Sequence, residues 1–195
     1  TRYERMLKDL KRKSRNDMLT GVYNRNFYEA NIKNQSFTGG VAIFDIDNFK
    51  LCNDTKGHGA GDELLVRVSQ IIKSEITDND KLIRYGDDEF LLLISGASSS
   101  ALEKTLNRIQ KSVRNSNLNE TDGFTVSLSV GGVIAKNETA QEAAYRADRL
   151  MYRAKSKKNA VVTEQNQFAY NGGEYYGSAQ KILIASVVVI YNFFQ

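Results

Sequence analysis

The chain has 195 residues, 41% hydrophobic and 26% charged, which suits one soluble globular domain of about 100–200 residues with terminal extensions. A single cysteine, Cys52, excludes an intrachain disulfide framework and favours a reducing compartment. The net charge of +4 is local: residues 1–16 carry seven Lys/Arg and two acids, a surplus of five, which leaves −1 for the rest and no expectation of nucleic-acid binding by the main body.

Residues 2–15 read as a basic helix, with Tyr3, Met6, Leu7 and Leu10 forming one apolar seam at i, i+3, i+4 and i+7. It is either the end of a signalling stalk or a solvated helix lying on its own domain. "VAIFDI" (41–46) is an apolar run ending in acid, the pattern of a buried strand delivering a polar group at its edge. "GDELLVRVSQIIKS" (61–74) places Leu64, Leu65, Val68, Ile71 and Ile72 on one helical face. "KLIRY" and "FLLLI" flank Gly86-Asp87, so two strands joined by a two-residue loop are expected. "ALEKTLNRIQKSV" (101–113) spaces Leu102, Leu106, Ile109 and Val113 as a helix. "FTVSLSVGGVI" (124–134) alternates, so Val126, Leu128 and Val130 share a face. "TAQEAAYRADRLMYRAK" (139–155) is an amphipathic helix with a threonine at its N-cap.

A hairpin and helical connections together imply an α/β (α+β) domain: a mixed, mostly antiparallel sheet with helices packed on it. "ILIASVVVIYNFF" (182–194) is too short for a bilayer span of about 20 apolar residues, and its β-branched residues suit a buried strand. No signal peptide is expected.

The chemistry concentrates in "FDIDNFKLCNDTKGHGAGDELL" (44–65) and "RYGDDEF" (84–90). Asp45 and Asp47 sit two apart at a strand end, so both side chains are expected on one face. Crowded carboxylates repel unless a cation lies between them. Lys50, Asn53, Asp54 and Gly57-His58-Gly59 follow, the glycines turning into a helix at about Gly61-Asp62. The hairpin tip adds Asp87, Asp88 and Glu89. If the hairpin lies beside the first strand, Asp45 and Asp88 can share a Mg²⁺, which takes one or two carboxylates plus phosphate oxygens and water. Such a pair is what phosphoryl or nucleotidyl transfer needs.

These segments, with "DMLTGVYNR" (17–25) and "RADRLMYRAK" (146–155), resemble the GGDEF domains of bacterial diguanylate cyclases over roughly residues 17–162, landmarks in family order. The resemblance implies a palm like that of class III nucleotide cyclases. It also implies a reaction in which two GTP condense to cyclic di-GMP and two pyrophosphates across a homodimer. By resemblance, Asp45, the backbone carbonyl of Ile46 and Asp88 are the Mg²⁺ ligands, with Mn²⁺ as a substitute. Lys50, beside the backbone amides of Asn48 and Phe49, steadies phosphate charge. Asn53 and Asp62 read guanine, His58 falls in the nucleotide pocket, and Lys155 is a distal triphosphate contact. Glu89 assists the metal or deprotonation of the 3′-OH, with Asp88 and Lys50 as its catalytic companions.

Three departures stand out. The family's second glycine is Asp87 here. Aspartate tolerates a left-handed turn, but its charge opposes nucleotide binding. Unless a metal screens it or the side chain turns to solvent, a repulsion of about 2–3 kcal/mol would slow turnover on the order of 30–150-fold. The alternative is a degenerate module that binds GTP, or only dimerises and signals. The product-inhibition window is "TDND" (77–80), with Thr77 in place of arginine, so no allosteric cyclic di-GMP site is expected. "KSKKN" (155–159) is one residue short, leaving Lys158 to replace the phosphate-binding arginine. The division expected is a linker helix (1–16), the GGDEF domain (17–162) and a tail (163–195). The tail opens like a receiver-domain strand or serves as a terminal strand covering a sheet edge. A cytoplasmic domain is expected, with a sensory segment upstream and a parent that is free or membrane-tethered.

Overall fold

In the computed structural model, residues 2, 6, 14–116 and 125–167 are described. The 182–194 run and most of the 2–15 seam lie outside them, although Arg2, Met6, Ser14 and Arg15 are helical. The chain divides after Glu164, and only 165–167 of the second unit are described. No helix among the described residues is long and apolar enough to cross a membrane.

Ten elements follow in order: α1 (Arg25–Asn31), β1 (Ser36–Ile46), α2 (Phe49–Lys56), α3 (His58–Ser74), β2 (Lys81–Arg84), β3 (Glu89–Ser95), α4 (Ser99–Arg114), β4 (Leu128–Thr139), α5 (Ala140–Lys157) and β5 (Ala160–Thr163). The sheet order is β2-β3-β1-β4-β5. Every neighbouring pair is antiparallel except β4 and β5, which are parallel. The mixed, mostly antiparallel sheet expected from the sequence is therefore present.

β1 is central and buried from Gly39 to Ile46, because helices cover both its faces. Ala42, Phe44 and Ile46 join Leu64, Leu65, Val68 and Ile72 of α3 and Leu102, Leu106, Ile109 and Val113 of α4 in one core. The intervening residues Val41, Ile43 and Asp45 point to the other face, against α5. That packing is close: a Cβ on Gly131 would lie 2.1 Å from the carbonyl oxygen of Ala147. The α5 N-terminus is closed by a capping box between Thr139 and Glu142.

Three local expectations need correction. The hairpin connection is not two residues but the four from 85 to 88, with strand pairing resuming at Arg84↔Phe90. The α3 helix begins at His58 rather than near Gly61, because Gly57 takes φ 83° and turns the chain directly from α2. Asp47 is past the end of β1, in a turn, so the period-2 rule that placed it beside Asp45 no longer applies. Helices α1 and α2 are additions: α2 buries only Cys52, too little apolar signal for a periodicity to show.

Candidate active site

Antiparallel register makes the first contact. Asp45 at the end of β1 is the Cα partner of Glu89 at the start of β3 on one side and of Ser129 in β4 on the other. Directly opposed residues share a face, so Asp45 and Glu89 both look toward α5. The Ile46 amide donates to the Asp88 carbonyl at 3.2 Å, extending the pairing one step into the turn. Asp45, Ile46, Asp88 and Glu89 are thus brought together, as expected.

From α5, Lys155 Nζ reaches Asp45 Oδ2 at 2.7 Å. Asp45 is only 2% exposed, and burial is the main reason that its pKa is pushed up to about 6. The Lys155 hydrogen bond opposes that rise, while the charges of Asp88 and Glu89 add to it. Burial also lifts Asp88 and Glu89, with Lys155 pulling both back. Asp87 adds to the rise at Asp88, and Asp88 and Asp148 add to that at Glu89. Lys155 shows the reciprocal effect: burial lowers its pKa, but the bond to Asp45 and the fields of Asp45, Asp88 and Glu89 carry it above the ordinary value. The site is therefore an acid-rich cluster with the Lys155 ammonium among its carboxylates.

This donor set fits Mg²⁺. Asp45 is buried and Asp88 half-buried, and the Asp88 charge lies near enough to raise the Asp45 pKa. No group of three or more His, Cys, Asp or Glu side chains forms a metal cage among the described residues. Mg²⁺ characteristically takes one or two carboxylates and fills its shell with phosphate and water.

The acidic turn is held by arginines. Arg84 Nη2 donates to the Asp87 carbonyl at 3.0 Å, and its Nη1 lies 3.3 Å from both oxygens of Asp17. Asp17 also accepts from the Thr20 amide and hydroxyl at 2.8 and 2.7 Å. Arg25 Nη1 donates to the Tyr85 carbonyl at 3.2 Å, with the guanidinium 4.8 Å from the Tyr85 ring centroid. Asp87 itself is exposed, and neither it nor Gly86 has a positive φ. The turn therefore makes no glycine-only demand at 87, contrary to what the sequence motif implies.

The remaining expected residues surround this group. Asn48 (φ 61°) accepts from Lys158 Nζ at 2.7 Å. Phe49 and Lys50 form the first turn of α2, with Lys50 exposed. The ammonium bound to Asp45 is that of Lys155, not of Lys50. Asn53 of α2 packs on the start of α3: a Cβ on Gly61 would lie 1.9 Å from Asn53 Oδ1, which is buried without a partner. Asp62, the next residue, and His58 are exposed. In the 77–80 window, the Thr77 amide and hydroxyl both donate to Asp80 Oδ2 at 2.8 Å, closing the turn on itself.

Sequence reasoning missed Arg25, Arg84 and Asp148, and it set Asp47 on the same face as Asp45. Arg84 stands inside the quoted "RYGDDEF" and offered the countercharge to its acids. Asp148 lies seven residues before Lys155, two helical turns along the same face.

Residues 14–160 match the family described as diguanylate cyclase, GGDEF domain. The chain is 34% identical over 151 residues to diguanylate cyclase DosC of Escherichia coli K12, covering 72% of this chain and 33% of that protein. It is 35% identical over 133 residues to diguanylate cyclase A of Treponema denticola, covering 66% of this chain and 36% of that protein. The chain thus spans about a third of the length of these curated relatives. Among solved structures, the coiled coil and GGDEF domain of DgcB from Caulobacter crescentus, in complex with c-di-GMP, superposes with TM-score 0.74 at 27% identity, covering 83% of this chain and 92% of that one. Diguanylate cyclase SiaD of Pseudomonas aeruginosa, solved with its activator SiaC, gives TM-score 0.68 at 32% identity, covering 83% of this chain and 68% of that one.

Proposed function

Because the chain belongs to the GGDEF family of diguanylate cyclases, we propose that it condenses two GTP into cyclic di-GMP and two pyrophosphates, one GTP held by each of two facing copies. The observation that carries this reading is the convergence of Asp45, Asp88 and Glu89 around Lys155 at the open end of β1.

Asp45, the Ile46 carbonyl and Asp88 would hold Mg²⁺, or Mn²⁺ in its place. When bound, the ion supplies charge to neutralise the triphosphate and lower the pKa of the attacking hydroxyl. Asn53 and Asp62 orient guanine: a carboxylate accepts from both N1–H and the 2-amino group, which adenine cannot offer. The partnerless Asn53 Oδ1 is consistent with an acceptor kept for a ligand. Lys50, the first amides of α2, Lys155 and Lys158 would take the phosphates, and His58 would border the nucleotide. Glu89, whose pKa is raised by burial, is suited to receive the 3′-OH proton or to support the ion. The closed Thr77–Asp80 turn favours no second, inhibitory product site there. GTP places the activity in the cytoplasm, and the greater length of the relatives leaves room for sensory input elsewhere in the parent protein.

The test is incubation with GTP and Mg²⁺ at high protein concentration, with cyclic di-GMP detected by mass. Product from the native chain and none from Asp88→Ala supports the enzyme. Product only after Asp87→Gly instead supports a degenerate binding or dimerisation module.

A further inference from the structure

We propose that Asp47 is a positioning residue that sets Lys158 against the first turn of α2, completing a seat for the distal phosphates of the nucleotide. The inference rests on the substrate reading above and adds a residue to which that reading gives no role.

Asp47 is 3% exposed, and its carboxylate is fully engaged. Oδ2 accepts from the Ser127 hydroxyl at 2.5 Å and the Asn159 amide at 2.8 Å, and Oδ1 accepts from the Ser129 hydroxyl at 2.6 Å. Its own amide donates to the Ser127 carbonyl at 3.0 Å. One side chain therefore ties the end of β1 to β4 and to the entry of β5.

The segment it grips is strained. Lys158 and Asn159 have φ 53° and 47°, and Asn48, next to Asp47, has φ 61°. Three of the four left-handed non-glycine residues among those described meet at this one corner. A helix ending this way usually places glycine after its last turn, because a Cβ opposes the conformation. Asn159 is clamped from its other side as well: Gln110 Nε2 donates to its carbonyl at 2.9 Å and to its Oδ1 at 2.5 Å. Strain persists where surrounding structure over-determines it, and it concentrates at functional positions.

The strain delivers one thing, the Lys158 ammonium 2.7 Å from Asn48 Oδ1. Asn48 is the N-cap of α2, yet its side chain makes no capping bond. The unpaired amides and positive end of that helix therefore meet a lysine, two features that attract the same anion. A glycine at 158 would relieve the backbone and lose the charge.

Calorimetry with Mg²⁺ and a non-hydrolysable GTP analogue, with GMP as control, tests the phosphate role. Asp47→Ala should weaken the analogue about tenfold, the worth of one charge-assisted contact, and leave GMP unchanged. Lys158→Met should do the same, and the double variant should be no weaker than Lys158→Met alone. Asp47→Asn, which keeps an acceptor oxygen, should recover most of the affinity and carries the comparison if Asp47→Ala does not fold. Equal weakening of GMP and analogue, or additive losses, would overturn the proposal. Amide hydrogen exchange tests the coupling without nucleotide: the Asp47 variant should lose protection at 158–160 and at Cys52, whose amide donates to the Asn48 carbonyl, together. Retained protection at Cys52 would refute the latch. A native chain that binds neither nucleotide overturns the phosphate seat with the substrate reading, and the exchange result still decides whether the latch exists.

Discussion

Asp87→Gly separates the turn's charge from its backbone. With no positive φ at 86 or 87, glycine relieves no strain. It frees a backbone that Arg84 now holds through the 87 carbonyl, costing about 0.5–1 kcal/mol, or a fall of about 1–4 °C in melting temperature. The charge effect is also modest. The side chain is exposed, and exposed charge pairs are worth about 0.2–1 kcal/mol. At about 1.4 kcal/mol per decade, the variant should make cyclic di-GMP only about 1.5–5-fold faster, not the 30–150-fold inferred from the motif alone. Initial rates at low and high salt check this, since screening should shrink the gain. An increase above about 30-fold, or one insensitive to salt, would show that Asp87 acts from a desolvated position and would refute the argument.

Three further outcomes follow from the same geometry. Asp45, with an ordinary value of 3.8 raised to about 6, binds its proton more tightly when folded. The nucleotide-free domain should therefore lose on the order of 3 kcal/mol of stability as pH rises across that window. Asp45→Asn should shrink that slope in urea titrations, leaving the share that the raised Asp88 and Glu89 carboxyls add, and an unchanged slope would exclude Asp45 as a source. Arg84→Lys cannot span Asp17 and the Asp87 carbonyl together, and should cost about 1–2 kcal/mol by urea midpoint. Burial raises Asp17, but Thr20 and Arg84 outweigh it and hold its carboxyl below the ordinary value. The difference between the two proteins should therefore be full above the ordinary value and fade as pH falls below it. Gly61→Ala drives a methyl into Asn53 Oδ1. It should destabilise by about 1–3 kcal/mol and weaken GTP binding. Unchanged affinity would remove Asn53 from the guanine site.

Much of this protein was legible because its signals are local. The spacing of Leu102, Leu106, Ile109 and Val113 foretold α4 and its buried face, and Thr139 foretold the cap of α5. Helices α1 and α2 escaped notice because a short, mostly solvated helix buries too few side chains to impose a period. The acids at 45, 88 and 89 were named from the sequence because a family motif preserves their spacing, and the motif says nothing of where each proton or partner resides.

Sequence alone determined the kind of sheet, the candidate residues for a cation and a nucleotide, and the family, all of which depend on residue types at short separations. Only the tertiary structure decided which carboxylates face one another. It set Asp45 against Glu89 and Lys155, turned Asp47 aside to Ser127, Ser129 and Asn159, and left Asp87 in solvent. Those choices rest on strand register and on one helix crossing the sheet, contacts between residues as many as 112 positions apart, which no local pattern encodes.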